Sequence, residues 1–124
     1  MGDTTTSSRA QTLPKAARVR SRAEYLAIQN GGKRLGTRHF LVVHRPSQTA
    51  AARIGITVTK KIGGAVTRNR VKRAVRETFR RARRGLPTLD FVVIARHGSG
   101  SLGASEVASE LVPALRQIAR EVAP

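Results

Sequence analysis

The sequence predicts an α/β (α+β) two-layer sandwich, a sheet of about four strands with helices packed on one face in an αβββαβα-like order. Three observations carry this. Ile54, Ile56 and Val58 alternate with Gly55, Thr57 and Thr59, a period of two that turns one side of a strand to the core. Val71, Val75, Thr78, Phe79 and Ala82 recur at spacings of three and four, the apolar stripe of an amphipathic helix. Residues 89–95 form a nearly unbroken apolar run, the mark of a central strand covered on much of both faces.

The elements follow in chain order. Residues 1–11 are rich in Thr, Ser and Gly and lack the apolar segment of a secretory signal. Residues 1–17 are therefore expected to be a disordered tail, and 18–124 a single domain. A first helix is expected over residues 21 to about 29. Ser21 takes the cap position, Glu24 follows at the spacing of a capping box, and Asn30-Gly31-Gly32 stops the helix. His39-Phe40-Leu41-Val42-Val43-His44, bounded by Gly36 and Pro46, reads as a strand, and residues 47–51 as the turn to the Ile54 strand. The long helix has Thr67 as its expected cap and Gly85 as its stop. After a Gly/Ser loop at 97–103, the segment 104–122 sets Val107, Leu111, Leu115, Ile118 and Val122 on one side of a closing helix, despite Pro113. No internal repeat is evident.

Composition narrows the function. Of 124 residues, 40% are hydrophobic and 25% charged, enough for a modest core and too apolar for a disordered basic tail. The charge is lopsided in sign: 24 Lys and Arg against 7 Asp and Glu give +17. Self-repulsion of that size opposes folding, and a polyanionic partner is the usual reason to carry it. The absence of Cys excludes disulfides, thiolate nucleophiles and Cys-based metal sites. The apolar run 91–95 falls far short of the ~20 residues that span a bilayer. A soluble, cytoplasmic protein is expected.

Most of the excess charge lies between residues 60 and 84, where eleven Lys and Arg face the single acid Glu77. On a helix Arg68, Lys72, Arg76 and Arg80 repeat every fourth residue, while Arg73, Arg76, Arg80 and Arg83 follow the three-and-four pattern. Like charges stacked this way weaken a helix by a few tenths of a kcal/mol per pair, roughly, unless anions lie between them. Arginine's planar fork also grips two phosphate oxygens and stacks on bases, which lysine does not. A merely solvated face would interleave acids. A basic amphipathic helix also suits an anionic membrane, but here the apolar side carries one aromatic, Phe79, and is needed by the core. Nucleic acid is the expected partner.

The stretch Gly55-Ile56-Thr57-Val58-Thr59-Lys60-Lys61-Ile62-Gly63-Gly64-Ala65-Val66-Thr67-Arg68-Asn69-Arg70-Val71-Lys72-Arg73-Ala74-Val75-Arg76-Glu77-Thr78-Phe79-Arg80 resembles the signature of the bacterial ribonuclease P protein subunit. That pattern is a strand, a Lys-Lys turn with Gly, Arg-Asn-Arg, a basic pair, then Arg and Phe, and all are present in order. The resemblance extends more weakly from about Arg18 to Ile94 and into the closing helix. It implies a left-handed β-α-β crossover from the Ile54 strand to the Leu89 strand, an exception to the right-handed rule. It also implies RNA binding by Lys60, Lys61, Arg68, Asn69, Arg70, Lys72, Arg73, Arg76 and Arg80, with Arg70 and Arg73 on the large catalytic RNA. A cleft for the 5′ leader of precursor tRNA would take Tyr25, Leu41, Val43, Thr57, Thr59, Lys61, Arg68, Lys72 and Arg76. Gln29 and Val43 stand where relatives carry aromatics, so stacking on leader bases is expected to be thinner, with Tyr25 as the platform. The resemblance further implies that the RNA subunit performs the hydrolysis, the protein supplying no catalytic residue. Mg²⁺ would be required by the RNA-containing holoenzyme, with no cofactor bound by the protein alone. No membrane and no obligate protein partner are expected.

The residues agree with a non-catalytic role. Asp3, Glu24, Glu77, Asp90, Glu106, Glu110 and Glu121 are scattered, whereas a self-sufficient nuclease gathers acids around Mg²⁺ or sets a His pair for proton transfer. His39 and His44 are five apart on a strand, so they point to opposite faces, and neither has a carboxylate near it in sequence. Taken alone, Tyr25 also fits a half-buried core aromatic, Asn69 a local hydrogen bonder at a helix end, and Gly63-Gly64 a plain turn. A structural RNA-binding protein, ribosomal or chaperone-like, with no enzyme attached is the alternative reading.

Overall fold

The structure, a computed structural model, describes residues 15–19, 21–47, 49 and 51–122. Its elements are α1 (Arg22–Gly31), β1 (Lys33–Gly36), β2 (Phe40–Pro46), β3 (Arg53–Thr57), α2 (Ala65–Ala82), β4 (Leu89–Ala95) and α3 (Ala104–Val122). One four-stranded sheet runs in the order β1-β2-β4-β3, with β1/β2 and β2/β4 antiparallel and β3/β4 parallel. The parallel pair is joined through α2, so the basic helix is a crossover lying against the sheet.

Local chemistry explains the helix ends. Ser21 caps α1 with its side chain 3.1 Å from the Glu24 backbone N–H, and Glu24 returns toward the Ser21 N–H, the expected capping box. The cap of α2 is Gly64 rather than Thr67: the Arg68 N–H already donates to the Gly64 carbonyl at 2.9 Å, so the helix begins before Thr67. The expected order counts three strands before the long helix but assigns no residues to the first, β1, because Lys33-Arg34-Leu35-Gly36 holds one apolar residue and no alternation. It forms by pairing with β2 across a turn in which the Thr37 N–H donates to the Phe40 carbonyl at 2.7 Å. Residues 1–14 of the expected tail lie outside the described residues. The boundary at 17 is too late, because Lys15–Ala17 form a turn and Ala17 is fully buried. The Val19 N–H then donates to the Ile54 carbonyl on the outer edge of β3.

The main core fills one side of the sheet. Phe40 and Val42 of β2, Ile54 of β3 and Phe91 and Val93 of β4 face Val71, Val75 and Phe79 of α2 and Leu111, Leu115 and Ile118 of α3. Phe79 meets Phe91 edge-on, ring centroids 5.8 Å apart, a favoured aromatic geometry. Only α2 and α3 lie on this side. The expectation of helices on one face fails for α1, which packs on the opposite face through Ile28 against Val19, Val43 and Val92. The reason lies in strand alternation: β2 and β4 are apolar at odd and even positions alike, so the second face also needs a cover.

Register orders that second face into three rows across the strands. Gly36, Leu41, Ile94 and Thr57 make the first, Arg34, Val43, Val92 and Gly55 the second, and Arg45, Asp90 and Arg53 the third. Helix α1 crosses the second row. A Cβ at Gly55 would come within 2.7 Å of the Tyr25 ring, and one at Gly32 within 2.7 Å of Val43, so glycine at both positions permits the close approach.

Candidate nucleic-acid interface

A groove of about 470 Å³ opens where α1 crosses the sheet. Arg22, Tyr25, Leu26 and Gln29 form one wall, Ile56, Thr57 and Val58 the other, and Lys72 of α2 closes it. The α1 wall recurs at i, i+3, i+4 and i+7, one face of a helix. Behind Tyr25 a recess of about 60 Å³ is lined by Arg18, Val19, Ile54, Ile56 and Arg76. Tyr25 is thus the partition between two hollows, each with a basic rim.

Tyr25 is held in place. Its hydroxyl accepts a hydrogen bond from the Ile56 backbone N–H at 3.0 Å, and its ring is half-buried against Gly55. Because β3 is an edge strand, that N–H has no neighbouring strand to pair with, and the tyrosine satisfies it. Leu41 and Ile94, both half-buried, pack against the Ile28, Val43 and Val92 cluster and share a row of the sheet with Thr57.

The expected cleft residues are therefore partly assembled. Tyr25, Thr57 and Lys72 meet in the groove, Arg76 lines the recess, and Leu41 lies in the sheet row of Thr57 without lining the groove. Val43 does not line a cleft: it is fully buried in the second row beneath Gly32, where it packs. Thr59, Lys60 and Lys61 are exposed in the turn between β3 and α2. Arg68 is half-buried, and its Nε, shielded from solvent, meets no acceptor in the described protein.

On α2, residues 68, 72 and 76 are four apart and share the side that adjoins the groove. Asn69 and Arg73 are exposed beyond that row. Arg70 turns toward the loop before α3, where its Nη2 donates to the Gly100 carbonyl. Arg80 is engaged internally: Nε and Nη2 reach the Glu77 carboxylate at 2.9 and 2.5 Å, and Arg81 Nε joins it at 2.9 Å. Hydrogen bonding from Arg80, then from Arg81, holds the Glu77 carboxyl below its ordinary range against the opposing effect of burial. The lone acid of the basic segment is a clamp for two of its arginines.

Sequence reasoning missed a charged cluster under α1. Asp90, fully buried on β4, receives Arg53 Nε and Nη2 at 2.8 and 2.9 Å, a bidentate pair across the parallel register. Arg45 of β2 lies on its other side at 3.8 Å, and Glu24 of α1 reaches Arg53 Nη1 at 2.9 Å. Burial pushes the Asp90 carboxyl up, but hydrogen bonds from Arg53 and Ser47 and the charges of Arg53 and Arg45 outweigh it and leave it below its ordinary value. No sequence signal ties positions 53 and 90, because only the crossover through α2 makes them neighbours. Leu26 and Arg22 were legible in principle, since they share helical spacing with Tyr25.

A second tie reaches from the β1–β2 turn to α3. Glu110 accepts from the Thr37 hydroxyl at 2.5 Å and the His39 N–H at 2.6 Å, and its other oxygen lies 2.7 Å from His39 Nδ1. The carboxylate that His39 lacked in sequence thus arrives from the closing helix. His44 instead faces the main core against Phe91, where desolvation lowers its pKa, opposed by Glu121 and reinforced by Lys33. Among the described residues no three His, Asp or Glu side chains gather as a metal-ligand set, and no helix is long and apolar enough to cross a membrane.

Comparison with known proteins places this geometry. The family model for ribonuclease P matches residues 13–119. The ribonuclease P protein component of Desulfovibrio desulfuricans is 43% identical over 115 residues, covering 89% of this chain and 88% of that one. That of Syntrophus aciditrophicus is 45% identical over 101 residues, covering 81% and 85%. Among solved structures, the Staphylococcus aureus RNase P protein superposes with a TM-score of 0.76 at 32% identity, covering 86% of this chain and 97% of that one. The Thermotoga maritima RNase P protein gives 0.74 at 35% identity, covering 81% and 96%. A basic crossover helix on a four-stranded sheet, matched along nearly its whole length in sequence and in fold, shows that the chain belongs to the ribonuclease P protein family.

Proposed function

We propose that this chain, as the non-catalytic subunit of ribonuclease P in the cytoplasm, holds the 5′ leader of precursor tRNA in the Tyr25 groove while the exposed side of α2 docks on the catalytic RNA. The observation that carries the reading is the placement of Lys72 and Arg76 on the groove side of α2, with Asn69 and Arg73 exposed beyond them. One helix thereby offers cations to two polyanions at once. A single strand fits a groove that combines cations for phosphates with a half-buried tyrosine and the apolar side chains of Leu26, Ile56 and Val58 for bases. A chain of charge +17 offsets the repulsion between the two RNAs as they approach.

The chain's own residues bind and orient; they do not hydrolyse. Asp90, Glu24, Glu77 and Glu110 each meet arginine, histidine or hydroxyl partners within the protein and do not gather as a metal-ligand set, which supports a binding role for this chain. Magnesium, required by the RNA-containing holoenzyme, is assigned to the RNA, and the residues of this chain carry no step through it.

The test incubates precursor tRNA at low magnesium with the matching catalytic RNA, with the protein, and with both. Cleavage at the mature 5′ end that depends on both is the expected result. Cleavage by protein alone would overturn the assignment of catalysis, and no stimulation of the RNA would favour a structural RNA-binding protein.

A further inference from the structure

The two oxygens of Glu24 serve different elements. Oε1 lies 3.4 Å from the Ser21 N–H as the return contact of the capping box, and Oε2 lies 2.9 Å from Arg53 Nη1. Arg53 is in turn fixed by its bidentate contact with the buried Asp90. The next residue after Glu24 is Tyr25, whose hydroxyl is tied to Ile56 on the same strand as Arg53.

We propose that Glu24 and Arg53 are positioning residues for leader recognition: their contact anchors the first turn of α1 to β3 and so sets the Tyr25 ring and the width of the groove. The proposal rests on the leader-binding reading above. Its physical basis is where α1 is otherwise held. Ile28 is its one fully buried residue and Tyr25 adds a half-buried ring and the hydroxyl contact with Ile56, and both follow Glu24 in the helix. The contact of Glu24 with Arg53 fixes the first turn itself to β3. Glu24 itself is 37% exposed, so solvent screens the pair and its contribution to global stability is small. Its effect falls on groove geometry.

Two substitutions separate the two jobs of this carboxylate. Glu24→Gln keeps a residue suited to the capping box while removing the charge that meets Arg53. Ser21→Ala removes the cap and leaves Glu24 and Arg53 in contact. In the reconstituted holoenzyme, affinities for precursor and for mature tRNA are measured alongside protein affinity for the catalytic RNA and the melting temperature of the protein. Glu24→Gln is expected to narrow the preference for precursor about fivefold, the upper end for a partly exposed ion pair, with assembly and melting temperature unchanged. Ser21→Ala is expected to lower the melting temperature by a few degrees, roughly, with the preference intact. An unchanged preference in Glu24→Gln, or a loss matched by equal losses in assembly and melting temperature, would overturn the proposal. A wild-type protein that gives no preference for precursor would instead sink the leader-binding reading on which it rests.

Discussion

The two faces of the sheet are made by alternate residues of the same strands, yet they are built on different principles. The face under α2 and α3 is apolar apart from the buried His44 and Thr78, with Phe40, Phe79 and Phe91 fully buried. The face under α1 grades across three rows from the half-exposed row of Thr57, through a thin apolar strip, to the buried Arg53 and Asp90 with the half-buried Arg45. Close packing is concentrated on the first face, and the proposed function places recognition on the second. The difference shows how a small basic domain offers a groove without losing its fold: the groove lies on the face that contributes least to the core.

The sharpest contrast comes from deleting bulk on the packed face. Phe79→Ala removes a ring buried against Phe91 and is expected to cost about 3 to 5 kcal/mol, read as a shift in urea midpoint without a change in slope. A cost below about 1 kcal/mol would mean that the two faces contribute alike.

On the other face the largest effect follows from charge. Asp90→Ala leaves Arg53 and Arg45 without their buried acceptor and is expected to cost about 3 kcal/mol, the low end for a broken buried pair because Arg53 keeps Glu24. Acid sharpens the comparison further. The Asp90 carboxyl titrates below its ordinary value when folded and at that value when unfolded. Its contribution is complete above the ordinary carboxylate range and is lost as pH falls through the lowered folded value. His44, on the packed face, is held below its ordinary 6.5 by desolvation, so its neutral form contributes fully above that pH and loses ground as pH falls beneath it. Chemical denaturation across pH is thus expected to weaken wild type first near the histidine range and again in the carboxylate range. The second step shrinks in Asp90→Ala.

How far the sequence revealed this arrangement depends on how local each signal was. The capping box at Ser21 and Glu24, the alternation through Ile54 and Ile56, and the stripe of α2 depend on spacings of two to four residues, and each formed as read. The expected order counts the strand β1 but assigns it no residues, because its pairing with β2 rather than its own composition makes it a strand. The side on which α1 packs was invisible for a related reason: it depends on which residues of β2, β3 and β4 come into register. The family pattern sets Tyr25 and Lys72 in one cleft and they do meet in the groove, while it sets Val43 there too, although the backbone at Gly32 covers that side chain. Asp90 looked like a stray acid in an apolar run, and only the crossover supplies its arginines.

The gentlest change probes the hinge between the faces and the groove. Tyr25→Phe keeps the ring and removes the acceptor for the Ile56 N–H, a loss of about 1 kcal/mol in stability with little effect on RNA. Tyr25→Ala in the same background is the most direct test of the central claim, that the second face recognises the precursor. The measurement is the affinity of reconstituted holoenzyme for precursor relative to mature tRNA. Removal of a stacking ring is expected to lower precursor affinity by roughly ten- to a hundredfold, with mature tRNA binding and assembly on the catalytic RNA unchanged. Equal losses for precursor and mature tRNA, or no loss for either, would contradict the account.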